Sequence, residues 1–478
     1  MRNKLMRRGN APLTVGRKPS PFRPRQREAR ALLPLAHSVV NRYQAAIWFP
    51  LLFMACLSAQ AENWPQWRGP FFNGSSSEKG LPVKFSRTEN VKWSALMPGP
   101  SAASPIIWGN QVFVSSVDLE KKSLWAFCLD RKTGKTLWER EVAPGYGQDR
   151  QSNYASPSPA TDGELVVFFY GSGDLVAFDF AGKKIWSRNL QKDYGPFAFQ
   201  WTFSTSPVLF QNKLYLQVLQ RNVPVNGRGR AEGANDSYLL ALDPKTGKEL
   251  WKQIRPSEAR EESREAFTTP VPFTEHGHAE LLVAGGDCLS GHDPATGREL
   301  WRWGTWNPNR ITHWRLVPSP IAGDGVALAC APKGSPIYAV KLGGSGVLDD
   351  SALAWKSQER EISSDVSTPL FYKDHFYVLN SDRKTLACIE PASGHVLWNG
   401  SLESKAKIEA SPTAADDKIY VMNFRGDVFV LGTGPAFQIL ATAAMGEEGD
   451  NNIRSSIAPS QGQLFIRTAS KFYCIGDR

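Results

Sequence analysis

The sequence predicts an all-β fold, an eight-bladed β-propeller of four-stranded antiparallel blades, with the ring closed by an N-terminal strand. Three observations carry this prediction. A nine-residue phrase repeats along the chain, a second marker recurs eight times, and the last repeat unit lacks its outer strand. Unevenly spaced internal repeats of about 40–50 residues belong to solenoids, propellers or arrays.

The phrase is Asp130-Arg-Lys-Thr-Gly134-Lys-Thr-Leu-Trp138, repeated as Asp243-Pro-Lys-Thr-Gly247-Lys-Glu-Leu-Trp251 and Asp293-Pro-Ala-Thr-Gly297-Arg-Glu-Leu-Trp301. Weaker copies are Glu390-Pro-Ala-Ser-Gly394-His-Val-Leu-Trp398 and the shorter Asp179-Phe-Ala-Gly182-Lys-Lys-Ile-Trp186. Each follows a strand-like run such as Tyr238-Leu-Leu-Ala-Leu242 or Leu175-Val-Ala-Phe178. Asp at the turn can accept from the backbone two residues on, and Gly supplies the positive φ of a tight hairpin. The closing Leu-Trp starts the returning strand and offers apolar surface to a neighbour. The phrase is therefore a hairpin between the last two strands of a small sheet, and its work is fold maintenance.

A small residue followed by Pro opens each unit: Ser104-Pro105, Ser158-Pro159, Ser206-Pro207, Thr269-Pro270, Ser319-Pro320, Thr368-Pro369, Ser411-Pro412 and Ala458-Pro459. Pro cannot donate to a β-ladder, so it belongs on an edge strand or at a strand's first residue, as on the channel-lining strand of a blade. The eighth unit ends at Arg478, directly after Lys471-Phe-Tyr-Cys-Ile475, with no outer strand. Glu89-Asn-Val-Lys-Trp93-Ser supplies one ahead of the first marked strand. Closing the ring this way removes two exposed sheet edges. The propeller spans 89–478, with 62–88 as a lead-in. Blade five is the least regular, because Gly343-Gly-Ser-Gly-Val-Leu-Asp-Asp350 replaces the turn phrase. A ring of Trp-Asp repeats is the weaker rival, since no Trp here precedes Asp.

A sequence pI near 9.2 suggests anionic partners. Residues 1–44, however, hold eleven of the 56 Lys and Arg and one of the 46 acids, Glu28, so the rest of the chain is balanced. Composition gives no case for nucleic acid. This basic N-terminal extension fits a start placed too far upstream. Residues 45–61 follow as a secretory signal: the apolar Ala45-Ala-Ile-Trp-Phe-Pro-Leu-Leu-Phe-Met-Ala-Cys-Leu57 is short for a membrane span, and Ala59-Gln-Ala61 fits a small-x-small cleavage site. The mature chain is expected to begin at Glu62, periplasmic or secreted, without a transmembrane segment. Met54-Ala-Cys56 comes near a lipoprotein box, but Phe53 stands where Leu belongs, so lipidation at Cys56 is the lesser alternative.

Five cysteines follow the cleavage point. Cys128, Cys388 and Cys474 take equivalent third-strand positions, where Ala177 and Ala241 stand in blades two and three. They read as small buried fillers. Cys288 and Cys330, on adjacent blades, are the remaining pair, and the sequence leaves open whether they bridge.

Propeller topology sorts the loops into two faces. The turn phrases and first hairpins share one. The loops leading into the Pro-marked strands, with those between second and third strands, share the other. The second face carries Asn153-Tyr154, Gln200-Trp201, His313-Trp314-Arg315 and Asn451-Asn-Ile-Arg454, beside the long insertion 221–236. Tyr154, Trp201, Trp314, Arg315 and Arg454 are the candidate rim for a ligand or partner, since aromatic and Arg side chains stack on and pair with peptides and anions. The plainer reading is that these aromatics plug a narrow channel. His276-Gly-His278 lies on the opposite face without a third ligand, and His292, His375 and His395 fall in or near hairpins. Glu261-Glu262 and Asp349-Asp350 read as solvated loops. No Gly-x-Ser-x-Gly, phosphate loop or Ser/His/Asp set is placed, so no catalytic or metal residue is assigned.

The repeated Asp-x-x-Thr-Gly-Lys-x-Leu-Trp phrase, eight units and secretory segment resemble the pyrroloquinoline quinone (PQQ) repeat propellers. The lead-in Asn63-Trp-Pro-Gln-Trp-Arg-Gly-Pro70 is similar to that of secreted bacterial PQQ-like repeat proteins. The same blade pattern occurs in the propeller subunit of the outer-membrane barrel assembly machinery, which binds no quinone. Quinoprotein dehydrogenases of this kind add a vicinal disulfide, a calcium held by carboxylate and amide oxygens, and a catalytic Asp. This sequence has no adjacent cysteines, and no acidic cluster matches the calcium ligands residue by residue. The resemblance thus implies a monomeric, non-catalytic binding or scaffold module of the cell envelope, with no cofactor expected and an envelope protein or small ligand as partner. The alternative it implies is a PQQ- and calcium-dependent alcohol or sugar oxidoreductase.

Overall fold

A computed structural model describes residues 62–477, apart from 276, 359 and 361. The basic extension, the secretory segment, Cys56 and His276 lie outside the described residues. Short alternating runs between tight turns pair in chain order into eight sheets of antiparallel strands, one per blade. Blade one runs Ile106–Trp108, Gln111–Asp118, Ser123–Asp130 and Thr136–Pro144 across its sheet, and the first strands of neighbouring blades lie side by side around the ring. In the eighth sheet Ala458–Ser460, Gln463–Arg467 and Lys471–Ile475 are joined by Val91–Leu96, with Trp93 opposite Cys474.

Each turn phrase closes the hairpin expected of it. Asp243 Oδ1 accepts from the amides of Lys245 and Thr246, and Gly247 sits at φ 69°. A bulge follows in every blade, one step past a residue that faces the outer strand. In seven blades that facing pair is Trp against Cys, Ala or Gly, as in Cys128–Trp138, Ala241–Trp251 and Gly291–Trp301. The small residue makes room for the indole. All five described cysteines are free and buried, Cys288 and Cys330 included.

The Trp then reaches the next blade. Trp93, Trp138, Trp186, Trp251, Trp355 and Trp398 each donate their indole N–H to a carbonyl in or beside the next blade's outer turn, at 2.6–3.3 Å. Five of these rings lie on the turn glycine itself. A Cβ added at Gly134, Gly182, Gly247, Gly297 or Gly394 would come 2.4–2.6 Å from the ring. Gly therefore meets two demands, positive φ and clearance for the neighbouring Trp. The Leu of the phrase does not pack as expected: Leu137, Leu250 and Leu397 are 49, 47 and 43% exposed. On the pleated outer strand Leu and Trp point to opposite faces, so the Trp packs on the neighbouring blade and the Leu faces solvent.

Two further expectations are corrected. In blade eight the marker is displaced: Ser456-Ile457 holds the place of Ser411-Pro412, while Pro459 lies inside the inner strand opposite Leu464. In blade five, Gly346–Leu348 leaves its own blade and adds in parallel to Glu299–Trp303 of blade four, making a fifth strand there. With no turn phrase in blade five to receive it, the Trp301 indole bonds Glu280 at 2.8 Å within its own blade.

The lead-in fills one end of the channel. Trp64 exchanges backbone hydrogen bonds with Ile107, Thr161 donates to Pro65, and Gln66 exchanges side-chain bonds with the Leu209 backbone. Farther along, Asn73 and Gly74 accept from Phe371 and Ala414. Innermost strands have one unpaired edge, and the lead-in supplies partners for those of blades one, two, three, six and seven. These bonds sit at the strand ends nearest the first hairpins, so that end of the channel is closed.

Candidate functional site

The other end remains open, and its lining follows from strand alternation. In blades one to seven the residue before the marker Pro points into the channel, as Ser456 does in blade eight, and so does the residue two earlier. Its backbone N–H, left over at a sheet edge, donates to the hydroxyl of the next blade's equivalent. Ser104 bonds Ser158, Ser158 bonds Ser206, Ser206 bonds Thr269, and Thr269 bonds Ser319. Ser319 then bonds Thr368, Thr368 bonds Ser411, and Ser411 bonds Ser456, every step at 2.9–3.1 Å. The small residue of the marker is thus a Ser or Thr for its oxygen. Sequence reasoning explained the Pro and missed the hydroxyl.

Above this ring lie Ser156, Ser204, Phe267, Val317, Val366, Glu409 and Arg454, two residues before their ring partners. Both tiers line a cavity of about 170 Å³ whose wall also takes in Trp67 of the lead-in. Ala102, Gln151, Ser152, Trp201, Thr202 and Arg315 complete the lining. The lead-in was expected only as a preface to the ring. Trp64, Gln66 and Arg68, at every second position, are all buried, the mark of an extended segment packed on one face.

Three of the five rim candidates meet here. Trp201 Nε1 and Arg315 Nη1 both donate to Glu262 Oε1, at 3.0 and 3.1 Å, and the guanidinium carbons of Arg150 and Arg315 lie 5.1 and 5.6 Å from the Trp201 ring centre. Across the mouth, Arg454 Nε donates to Glu409 Oε2 at 2.6 Å and its guanidinium lies over Phe424, while Lys407 pairs with Glu409 Oε1 at 2.8 Å. Tyr154 and Trp314 are placed elsewhere. Tyr154 lines a side cleft with Phe197, Arg228 and the far side of Trp201. Trp314 packs on the core of blades four and five.

The insertion 221–236 braces Trp201 from behind. Arg221 bonds the fully buried Glu265 and Gln200, and Glu265 accepts from the Gln200 amide. Burial, partly offset by Arg221, raises the Glu265 pKa to about 6. Glu262, read from the sequence as solvated, and Glu265 are instead bonded by Arg315 and Arg221, since acids in a loop look solvated until their Arg partners are placed.

His292 has an unexpected partner. Its Nδ1 lies 3.0 Å from the Gly297 carbonyl and so carries the proton. Nε2 then accepts from Ser290 Oγ at 2.9 Å, and Ser290 accepts from Arg255. Ser290 and His292 are 0 and 1% exposed, so the pair is an internal strut with no access for substrate. Burial and the neighbouring Arg255 depress the His292 pKa to about 4. The unfolded chain takes this proton below about pH 6.5. The stabilisation is therefore complete above pH 6.5 and is lost as pH falls toward 4. Relative to His292→Asn, wild-type unfolding free energy should fall by on the order of 3 kcal/mol between pH 7 and 4. Denaturant titrations at both pH values check this, and Glu265, present in both proteins, cancels. A difference that does not change with pH would contradict it.

Glu262 and Glu409 at the mouth are engaged by Arg and Lys, and among the described residues no three His, Cys, Asp or Glu side chains form a group that could hold a metal ion.

The family model described as outer membrane protein assembly factor BamB matches residues 75–217, 198–379 and 346–434. A polyvinylalcohol dehydrogenase of a Pseudomonas species is 26% identical over 40% of this chain and 29% of its own length. A 1-butanol dehydrogenase (quinone) of Thauera butanivorans is 24% identical over 37% of this chain and 28% of its own. The chain thus spans under a third of the curated relatives it matches. BamB from Moraxella catarrhalis superposes with a TM-score of 0.53 at 12% identity, covering 80% of this chain and 98% of that one. A quinohemoprotein alcohol dehydrogenase from Comamonas testosteroni gives 0.59 at 13%, covering 87% and 81%. Among the described residues no helix is long and apolar enough to cross a membrane. Repeat phrase, eight sheets and family match agree: the chain belongs to the PQQ-like repeat propeller family whose model is described as outer membrane protein assembly factor BamB.

Proposed function

We propose that this propeller is a binding or scaffold module of the cell envelope, periplasmic or secreted, which takes a ligand or partner segment into its channel mouth and does no chemistry on it. One observation carries the reading: the channel is closed behind by the lead-in, and the charged side chains at its open end already hold one another in fixed pairs. Such a mouth is preorganised for recognition, with little side-chain ordering left to lose on binding.

A second reading, a PQQ- and calcium-dependent oxidoreductase, draws on the local likeness to the two dehydrogenases. Titration of the purified chain with PQQ and Ca²⁺ separates them, following tryptophan fluorescence and dye-linked oxidation of alcohols and sugars. The binding-module reading expects no turnover above the protein-free control. Saturable binding with turnover would overturn it.

A further inference from the structure

We propose that the channel mouth seats a carboxylate bearing a small apolar group, either a free short-chain acid or the C-terminus of a peptide. This deepens the reading of the mouth as a binding site and rests on it.

The hydroxyl ring supplies the first argument. Ser158, Ser206, Thr269, Thr368, Ser411 and Ser456 line the cavity and are 2–8% exposed. Each hydroxyl oxygen accepts one backbone N–H, and none donates to a protein acceptor. A hydroxyl carries one hydrogen to give. With the oxygen already turned to its amide, that hydrogen is left for the cavity. Six convergent donors call for a group that only accepts, and an ionised carboxylate offers about four lone-pair sites on two oxygens.

Charge supplies the second argument. Arg68 of the lead-in is 2% exposed, and its guanidinium bonds only carbonyls, those of Pro412, Pro369 and Asn73. Its Nε has no partner. Pro412 and Pro369 directly follow two of the ring hydroxyls, so the cation sits just behind the ring, beside Trp67. Burial lowers its pKa to about 9, which leaves it charged at neutrality. A buried cation without a counter-anion, in a low-dielectric channel, favours an anion at the ring.

The upper tier sets the rest of the ligand. Phe267, Val317 and Val366, from three successive blades, form an apolar wall. Glu262 and Glu409 flank the opening and oppose a dianion. A monoanion with a short apolar group satisfies ring, wall and rim together, and capture of a chain-end carboxylate is an established recognition mode.

Isothermal titration of the purified full chain tests this with isobutyrate against isobutyramide. In parallel, N-acetyl-Gly-Val is compared as free acid and as amide, with inorganic phosphate as a further arm. Each acid should bind at least tenfold more tightly than its amide. A peptide acid tenfold tighter than isobutyrate assigns the site to chain ends, and equal affinities assign it to small acids. Ala102 lines the cavity and forms none of these contacts. Ala102→Asp should weaken acid binding at least tenfold, whereas Ala102→Asn, equal in size, should stay within threefold. Amides that match the acids, phosphate that binds more tightly, or an Ala102→Asp chain that binds like wild type would overturn the proposal. Failure here alongside partner capture that still depends on Trp201 and Arg315 would remove this ligand class and leave the binding role standing.

Discussion

Trp138→Ala is expected to lower the unfolding free energy by about 3–5 kcal/mol, the range for deleting a large buried aromatic. Trp138 is 6% exposed, contacts the rings of Phe113, Phe168 and Phe178, donates to the Phe180 carbonyl at 3.0 Å and covers Gly182. Gly182→Ala should be destabilising for two separable reasons. At φ 78° an L side chain costs about 1–2 kcal/mol, and a Cβ 2.6 Å from the Trp138 ring adds overpacking of about 1–3 kcal/mol. In the Trp138→Ala background only the first survives. Denaturant unfolding of the four proteins should therefore give a coupling energy of about 1–3 kcal/mol. Strict additivity would mean that the turn glycine serves φ alone.

Arg68→Met is expected to cost about 3 kcal/mol. Removing a buried unpaired cation relieves a desolvation penalty, and apolar replacements of buried charges can be neutral. Here three carbonyls, from the lead-in and from blades six and seven, would lose their donor at about 1–3 kcal/mol each, and methionine can fill the space but not the bonds. The loss should be local, so limited proteolysis should cut within 62–85 well below the global melting temperature. A variant as stable and as protease-resistant as wild type would show that the lead-in is held by its other contacts.

Most of the fold was legible because hairpin chemistry is local. Asp at the turn, Gly at positive φ and Trp at the strand start leave a mark within nine residues. Cys128 and Ala241 were likewise legible as equivalent fillers, since both lie at one step of the same phrase. The Trp–Gly contact between blades was not, because its partners lie far apart in the chain, as Trp138 and Gly182 or Trp186 and Gly247 do. Blade five was legible only as an irregularity; nothing local tells Gly346–Leu348 to join a neighbouring sheet.

The site was half legible. Unusual residues in the second-face loops pointed to Trp201, Arg315 and Arg454, which converge. The same argument chose Tyr154 and Trp314, which do not. Sequence gives a residue's face but not its radius, and these two pack in a side cleft and on the blade core instead. The hydroxyl ring was hidden inside the marker used to count blades, because Ser and Thr before Pro look like turn chemistry until eight strands stand in a circle. Arg68 was hidden by its position before the ring, where no repeat gives it an equivalent.

The most direct test of the account is which face does the binding. Immobilised full chain would be compared for retention of envelope proteins as wild type, as Trp201→Ala with Arg315→Glu, and as Lys132→Glu with Lys245→Glu on the turn-phrase face. Retention should be at least tenfold weaker for the mouth variant and equal to wild type for the turn variant. Undiminished retention by the mouth variant, with loss in the turn variant, would contradict it.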